Sequence, residues 1–239
     1  MRSAPVLTIA ALLLYWPGMA SGASEAFIAH GPTDMKLVAL TFDDGPSLYT
    51  RKILALLNRY QARATFFVLG CHAARYPCLI RALQRAGHEV ENHSFSHIRF
   101  PQANCCTWAQ QLMRTEAELA CLGVRCHRLF RPPYSDYNEK LLTFLGHIRE
   151  QAVLWSVDSG DWRGLSEVEI AVNVLRRVHN GAIIVFHDSD ENGQADRSNT
   201  VKALEIILPI LKARGYKFVT VEELLNSSQP PKAGGLTGH

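Results

Sequence analysis

Short runs of apolar, often β-branched residues alternate along the chain with segments whose apolar residues recur at helical spacing. The runs predict strands at residues 36–42, 64–69, 88–92, 128–130, 152–157, 182–186 and 216–220. The segments between and after them predict helices at 47–60, 77–86, 107–122, 138–145, 166–178, 201–213 and 222–225. Strands that alternate with helices are typical of βαβ units and a parallel sheet. The pattern therefore predicts a single compact α/β barrel rather than two domains.

The two ends of the chain do not fit this alternation. Arg2 is followed by an apolar run at 6–16, a break at Pro17 and small residues at 20–23, which is typical of a secretory signal peptide. We predict a cleaved signal at 1–23, a folded domain at 24–226 and a disordered tail, rich in Ser, Pro and Gly, at 227–239. The protein is thus expected to be secreted or periplasmic.

Composition narrows the classes of partner. The 239 residues are 47% hydrophobic, and 25 Lys and Arg stand against 22 Asp and Glu. The apolar fraction is that of a globular protein. Positive and negative charges are nearly balanced, so the composition does not indicate nucleic-acid binding. No apolar run reaches the roughly 18 residues of a membrane span, so none is expected once the signal is removed.

Six cysteines are many for a domain of this size. Cysteines of an exported protein fold in an oxidising compartment and tend to pair, so we expect disulfides rather than a metal or redox role. No Cys-x-x-Cys zinc spacing occurs, and the sequence leaves the pairing open among 15 possibilities.

Polar clusters follow five of the predicted strands. They read Thr-Phe-Asp-Asp-Gly-Pro at 41–46, His-Ser-Phe-Ser-His at 93–97, Arg-Pro-Pro-Tyr-Ser at 131–135, Asp-Ser-Gly-Asp-Trp at 158–162 and Val-Phe-His-Asp at 185–188. In a β/α barrel the carboxyl ends of the strands meet on one face, where active sites lie. We therefore expect these clusters to form one site.

A metal centre is the first chemistry that these clusters suggest. His93 and His97 are four residues apart, so one helical turn would place both imidazoles on the same side, about 6 Å apart. Two histidines and one carboxylate are a common zinc set, and Asp43 and Asp44 are both candidates for the carboxylate. The other aspartate would then be free to take a proton from a metal-bound water. A calcium site would need more carboxylates and fewer imidazoles.

His187 follows a buried strand and is expected to point into the same site. It could be a further metal ligand or a general acid for a leaving group, since imidazole titrates in the appropriate range. An aspartate bonded to it would orient the ring and raise its pKa, and Asp158 and Asp161 are the candidates.

Other side chains suggest positioning and substrate contacts. Arg131 precedes two prolines that stiffen its loop, so its guanidinium could pair with a catalytic aspartate or an anionic intermediate. Trp162, Tyr134 and Phe95 could line a sugar-binding groove, although packing roles are equally compatible with the sequence.

The five clusters, in this order, resemble the motifs of the polysaccharide deacetylases, carbohydrate esterase family 4 with its NodB-homology domain. The likeness extends over about residues 36–225, and its one departure is Val185 where the last motif usually has leucine. The resemblance implies a distorted (β/α)7 barrel and metal-dependent removal of N-acetyl groups from N-acetylglucosamine polymers. Some members remove O-acetyl groups from xylan.

By motif position, the resemblance implies Asp43 as the catalytic base and Asp44, His93 and His97 as ligands of a divalent metal, usually zinc. Arg131 would steady the base.

The same resemblance implies that the backbone N–H of Tyr134 stabilises the oxyanion and that His187 is the general acid, supported by Asp158 or Asp161. The expected partner is an acetylated glycan such as peptidoglycan, chitin or its oligomers, bound by a monomeric enzyme. A glycosidase with paired carboxylates and a non-catalytic sugar-binding module are the alternative classes.

Overall fold

The structure is a computed structural model that describes residues 27–227. The predicted signal peptide at 1–23 and residues 228–239 of the predicted tail lie outside this range. Within it, no helix has both the length and the apolar character that crossing a membrane requires.

One curled, entirely parallel sheet forms the centre of the fold. Its strands are β1 (Leu37–Asp43), β2 (Thr65–Val68), β3 (Glu89–Asn92), β4 (Leu129–Phe130), β5 (Gln151–Ala152), β6 (Val157–Asp158), β7 (Ala182–His187) and β8 (Lys217–Val219). They are ordered β5-β4-β3-β2-β1-β7-β6, and β8 also pairs with β1. This α/β arrangement is consistent with the predicted (β/α)7 barrel.

The predicted strand at 152–157 is wrong in one respect, because the structure divides it into β5 and β6. The carbonyls of Val153 and Leu154 accept hydrogen bonds from the guanidinium of Arg131, at 3.1 and 3.0 Å. These carbonyls therefore serve a buried cation instead of a continuous strand ladder. The same segment crosses the opening of the sheet, where the Leu154 N–H donates to the carbonyl of Ile28.

Eight α-helices are described, and most of them cover the outside of the sheet. They are α1 (Leu48–Tyr60), α2 (Gly70–Arg75), α3 (Pro77–Arg85), α4 (Cys105–Cys121), α5 (Glu139–His147), α6 (Glu167–Arg177), α7 (Ser198–Ala213) and α8 (Val221–Asn226). Ser47 and Ser166 begin α1 and α6 with capping boxes, which satisfy free backbone N–H groups. The short helix α2 was not predicted, and its six residues carry too few apolar positions for a periodic signal.

The alternation of side chains along the strands separates two environments. On β1, the fully buried Val38, Leu40 and Phe42 belong to the hydrophobic core between the sheet and the helices that cover it. The intervening positions, Thr41 and Asp43 among them, face the concave side of the sheet. At the carboxyl end of the sheet, this alternation directs polar side chains into one cavity.

The expected disulfides are not present in the structure. All six cysteines lie among the described residues, and all carry free thiols. Cys105 and Cys106 are consecutive at the start of α4, so their side chains diverge around the helix. Cys121 ends the same helix, and Cys126 lies in the loop after it, where burial raises the pKa of its thiol. The helices pack through buried leucine and isoleucine side chains without a covalent link.

Candidate active site

The carboxyl ends of the strands surround a cavity of about 540 Å³. Eight of the predicted site residues line it: Asp43, Asp44, His93, His97, Tyr134, Asp158, Trp162 and His187. The sequence clusters therefore meet on one face, as the strand pattern predicts. Arg131 lies beneath this face with no exposed surface.

Asp44, His93 and His97 converge on one point. The Oδ1 atom of Asp44 lies 3.3 Å from Nε2 of His93 and 3.1 Å from Nε2 of His97. The expected helical turn is absent, because Ser94 and His97 adopt left-handed backbone angles with φ of 75° and 57°. The loop nevertheless brings the two imidazole rings to a separation of 5.2 Å between centroids.

Contacts on the far side of each ring fix the imidazole orientation. Nδ1 of His93 lies 2.7 Å from the carbonyl oxygen of Arg131, and Nδ1 of His97 lies 3.2 Å from the carboxylate of Glu191. Both partners only accept hydrogen bonds, so a neutral ring carries its proton on Nδ1. The lone pairs of both Nε2 atoms then point at Asp44.

Oδ1 of Asp44 is buried and has no hydrogen-bond partner. Burial would raise the pKa of Asp44, but hydrogen bonds from His93 and His97 in their protonated forms lower it well below its usual value, so the carboxylate is ionised. When both imidazoles are neutral, their Nε2 lone pairs and the ionised Oδ1 atom face one another without a hydrogen between them, and they repel one another unless a cation lies among them. The donor set of two imidazoles and one carboxylate fits a divalent metal such as zinc.

Asp43 forms a buried ion pair beside this triad. Nη1 of Arg131 donates to Oδ1 of Asp43 at 2.7 Å and also to the hydroxyl of Thr41. The guanidinium is held on its other side by the ring of Phe67, 4.1 Å from the ring centroid. One carboxylate oxygen of Asp43 is thus fixed, and the side chain lines the cavity next to the triad.

The structure distinguishes between the two aspartates proposed to support His187. Oδ1 of Asp161 lies 2.8 Å from Nδ1 of His187, and its Oδ2 accepts from the His187 backbone N–H and the Thr200 hydroxyl. Desolvation would lower the pKa of His187, but the charge and hydrogen bond of Asp161, together with the charges of Asp44 and Asp43, raise it to about 9. Asp158 instead accepts from the Gly160 N–H and lies 3.5 Å from Arg163.

Tyr134 has a left-handed backbone, with φ of 59°. Among the described residues, no protein group accepts a hydrogen bond from its N–H. Its hydroxyl donates to Glu191, and the guanidinium of Arg99 lies 3.9 Å from the centroid of its ring. The free N–H at the cavity wall can therefore donate to a bound oxygen.

The two other aromatic residues suggested for the groove differ in position. Trp162 lines the cavity and is 54% exposed, so its face is open to a ligand. Phe95 is not among the residues that line the cavity, and the guanidinium of Arg114 covers its ring at 3.6 Å.

No role was predicted from the sequence for Glu191, which lines the cavity, or for Asp188, which is buried beside it. Glu191 lies four residues after His187 in a polar loop, and that proximity was the available signal. Asp188 is fully buried, and its carboxylate accepts from Thr50, while burial raises its pKa to about 7. It lies against Gly45, where any Cβ would collide with the carboxylate, so glycine is required there.

Comparison with known proteins agrees with this geometry. The family model described as polysaccharide deacetylase matches residues 30–148. A peptidoglycan-N-acetylglucosamine deacetylase of Bacillus cereus is 36% identical over 208 residues, which cover 87% of this chain and 74% of that protein. A chitooligosaccharide deacetylase of Bradyrhizobium sp. is 33% identical over 201 residues, 78% of this chain and 90% of that protein.

The fold agrees as well. The crystal structure of the Bc1960 peptidoglycan N-acetylglucosamine deacetylase superimposes with a TM-score of 0.80 at 35% identity, covering 84% of this chain and 93% of that one. The resemblance seen in the sequence motifs is thereby confirmed. The chain belongs to the polysaccharide deacetylase family.

Proposed function

We propose that the protein hydrolyses the acetamide of N-acetylglucosamine residues in a glycan and releases acetate. One observation carries this proposal: a metal-ligand triad has a fixed carboxylate on one side and an aspartate-supported histidine on the other, all at one cavity. A glycosidase has no need of the triad, and a binding module has no need of the two proton-transfer groups.

A divalent metal, most simply Zn²⁺, would be held by Asp44, His93 and His97, where it supplies a Lewis acid and a bound water of lowered pKa. Asp43 acts as the general base and takes a proton from the attacking water. Arg131 holds one oxygen of this carboxylate, which orients the other towards the cavity. The hydrogen bonds of His93 and His97 to acceptors behind them keep their Nε2 atoms free for ligation.

The leaving amine needs a proton, and His187 supplies it. Its raised pKa keeps the ring protonated at neutral pH, and Asp161 keeps Nδ1 as the site of the retained proton. The N–H of Tyr134 donates to the developing oxyanion. A base and an acid at fixed positions each contribute to the rate through geometry as well as pKa.

The substrate class follows from the relatives and from the open cavity. Peptidoglycan and chitooligosaccharide deacetylases are both among the relatives, so a glycan containing N-acetylglucosamine is the proposed substrate. The exposed ring of Trp162 provides an apolar face for a sugar at the cavity edge. We further propose that the protein is exported by its N-terminal signal and acts as a monomer.

Acetate release from a panel of substrates tests the activity. Peptidoglycan, chitooligosaccharides and acetylated xylan are offered separately, and acetate is measured enzymatically. We expect release from one or both glycans that contain N-acetylglucosamine. Release from acetylated xylan alone would instead indicate an O-acetyl esterase, and binding without release from any substrate would indicate a non-catalytic relative.

Glu191→Ala is expected to weaken metal binding about tenfold or more, because it removes the acceptor behind His97. Zinc affinity is measured by competition with a chromophoric chelator. Glu205→Ala, at an exposed position of α7, is the matched control and should leave the affinity unchanged. Equal affinities for the two variants would show that Glu191 does not support His97.

The pH profile reports on the general acid. The His187 pKa is raised, so this residue is protonated below about pH 9, and activity should fall as the pH rises through that value. Asp161→Asn removes the charge that raises the pKa and should move the alkaline limb of kcat to lower pH by about one unit or more. Asp158→Asn is the control, since Asp158 forms no hydrogen bond or ion pair with His187 among the described residues, and the alkaline limb of this variant should stay at the wild-type pH. If the alkaline limb of kcat lay at the same pH in both variants, the assignment of Asp161 as the partner of His187 would be wrong.

A further inference from the structure

A second group of ionisable side chains lies at the opposite end of the sheet from the active site. Glu89 begins β3 and is about 13 Å along that strand from His93, at the usual rise per residue. Oε2 of Glu89 accepts from the hydroxyl of Thr65 and from the N–H of Val221, so the carboxylate lies between the sheet and the start of α8. We call Glu89, Glu91, His127 and Glu222 the base cluster.

His127 lies at the centre of the base cluster and contacts all three carboxylates. Its Nδ1 lies 3.0 Å from Oε1 of Glu91 and 3.2 Å from Oε1 of Glu89, and its Nε2 lies 3.1 Å from Oε2 of Glu222. Three carboxylates therefore surround a single imidazole. Glu91 also accepts from the backbone N–H groups of His127 and Leu129, which fixes the loop before β4.

The base cluster contains three carboxylates and one imidazole but no lysine or arginine. Among residues 27–227, no lysine or arginine forms an ion pair with Glu89, Glu91 or Glu222. The imidazole of His127 is the one basic group in contact with these carboxylates among the described residues. A single imidazole can balance at most one of the three carboxylate charges.

One buried acceptor is left without a partner. Nδ1 of His127 carries at most one hydrogen, and the closer Glu91 takes it. Oε1 of Glu89, whose side chain is only 2% exposed, then has no hydrogen-bond donor and faces the imidazole and Glu222. A buried carboxylate oxygen without a donor is costly and is rarely kept in a folded protein unless something binds it.

We propose that Glu89, His127 and Glu222 form a second divalent-cation site, independent of the active site, at the base of the sheet. One ligand atom from each of these residues lies within 4.8 Å of the others. Two carboxylates with an imidazole suit Zn²⁺ or a similar transition metal and not Ca²⁺, which takes oxygen ligands only. The side chains of His127 and Glu222 are 32% and 43% exposed, so an ion can enter from solvent.

The consequence of binding is structural. Glu89 belongs to β3, His127 to the loop before β4, and Glu222 to α8. An ion at this site would fasten the last helix to the sheet, and it would raise the melting temperature because it binds the folded state selectively.

Zinc binding to a chain without the active-site ligands tests the proposal. The variant H93A/H97A is freed of metal, titrated calorimetrically with Zn²⁺ alone or with Ca²⁺ alone, and its metal content is measured by elemental analysis. We expect one saturable Zn²⁺ site, a higher melting temperature with Zn²⁺, and no saturable binding of Ca²⁺. Failure of the proposed deacetylase activity would not affect this result, since the readout is binding by a chain that has no active-site metal centre.

Added substitutions then locate the ion. Glu222→Gln and His127→Gln in the same background should each weaken Zn²⁺ binding at least about tenfold. His147→Gln, at an exposed position of α5, is the control for Zn²⁺ that binds to histidines outside the proposed site. It should leave the Zn²⁺ affinity unchanged. Glu222 is partly exposed, so its variant is informative even if His127→Gln does not fold. Absence of Zn²⁺ binding in H93A/H97A, or equal affinities in all three variants, would overturn the proposal, and equal binding of Ca²⁺ would refute the assigned metal class.

Discussion

Asp43→Asn is expected to lose at least about 10³-fold in kcat while it retains its metal. The asparagine amide oxygen can still accept from Arg131, so the geometry of the cavity is preserved, but an amide cannot take a proton from water. Acetate release measures the loss, and elemental analysis of the purified variant measures the metal.

Asp158→Asn is the matched control for this experiment, because it removes a carboxylate from the same cavity without touching the base, the triad or His187. Its kcat should stay within a few-fold of the wild type. Activity near the wild-type level in Asp43→Asn would refute the assignment of the base, and loss of metal would place Asp43 among the ligands instead.

Arg131→Met is expected to lower the free energy of unfolding by about 3–5 kcal/mol, the usual effect of removing one partner of a buried ion pair. Arg131 has no exposed surface, and Asp43 is 3% exposed, so the substitution leaves an uncompensated charge in the interior. The carbonyls of Val153 and Leu154 lose their donors as well. Urea-induced unfolding of the wild type and the variant measures the difference.

Arg51→Met is the control, since Arg51 is exposed on α1 and forms no ion pair among the described residues. Its unfolding free energy should change by no more than about 0.5 kcal/mol. The double variant R131M/D43N should regain part of the stability, because the unpaired charge is gone. A change of less than about 1 kcal/mol in Arg131→Met would show that the pair does not hold this face of the fold together.

The sequence was sufficient for the parallel α/β fold and for the convergence of the clusters, for an identifiable reason. Five of the predicted strands are apolar runs that end in polar residues, and a parallel sheet brings such ends to one face. The single strand at 152–157 was predicted wrongly because its break depends on Arg131, whose guanidinium reaches it only in the folded chain.

Finer features of the site depend on loop conformation, which the pattern does not encode. Asp158 ends β6 and Asp161 lies three residues later, and only the folded backbone places Asp161 against His187. His93 and His97 meet through left-handed loop residues and not through the helical turn that their spacing favours. Glu191 approaches His97 from a loop that is 94 residues away in sequence, so no local pattern could pair them.

Metal dependence of acetate release tests the central claim most directly. The enzyme is treated with a chelator, dialysed, assayed on an N-acetylglucosamine oligomer, and assayed again after one equivalent of Zn²⁺ is added, with Asp43→Asn in parallel. The account predicts that the chelator abolishes acetate release, that Zn²⁺ restores it in the wild type, and that Asp43→Asn stays inactive with or without Zn²⁺. Acetate release that persists in the metal-free enzyme, or cleavage of the oligomer without acetate, would contradict it.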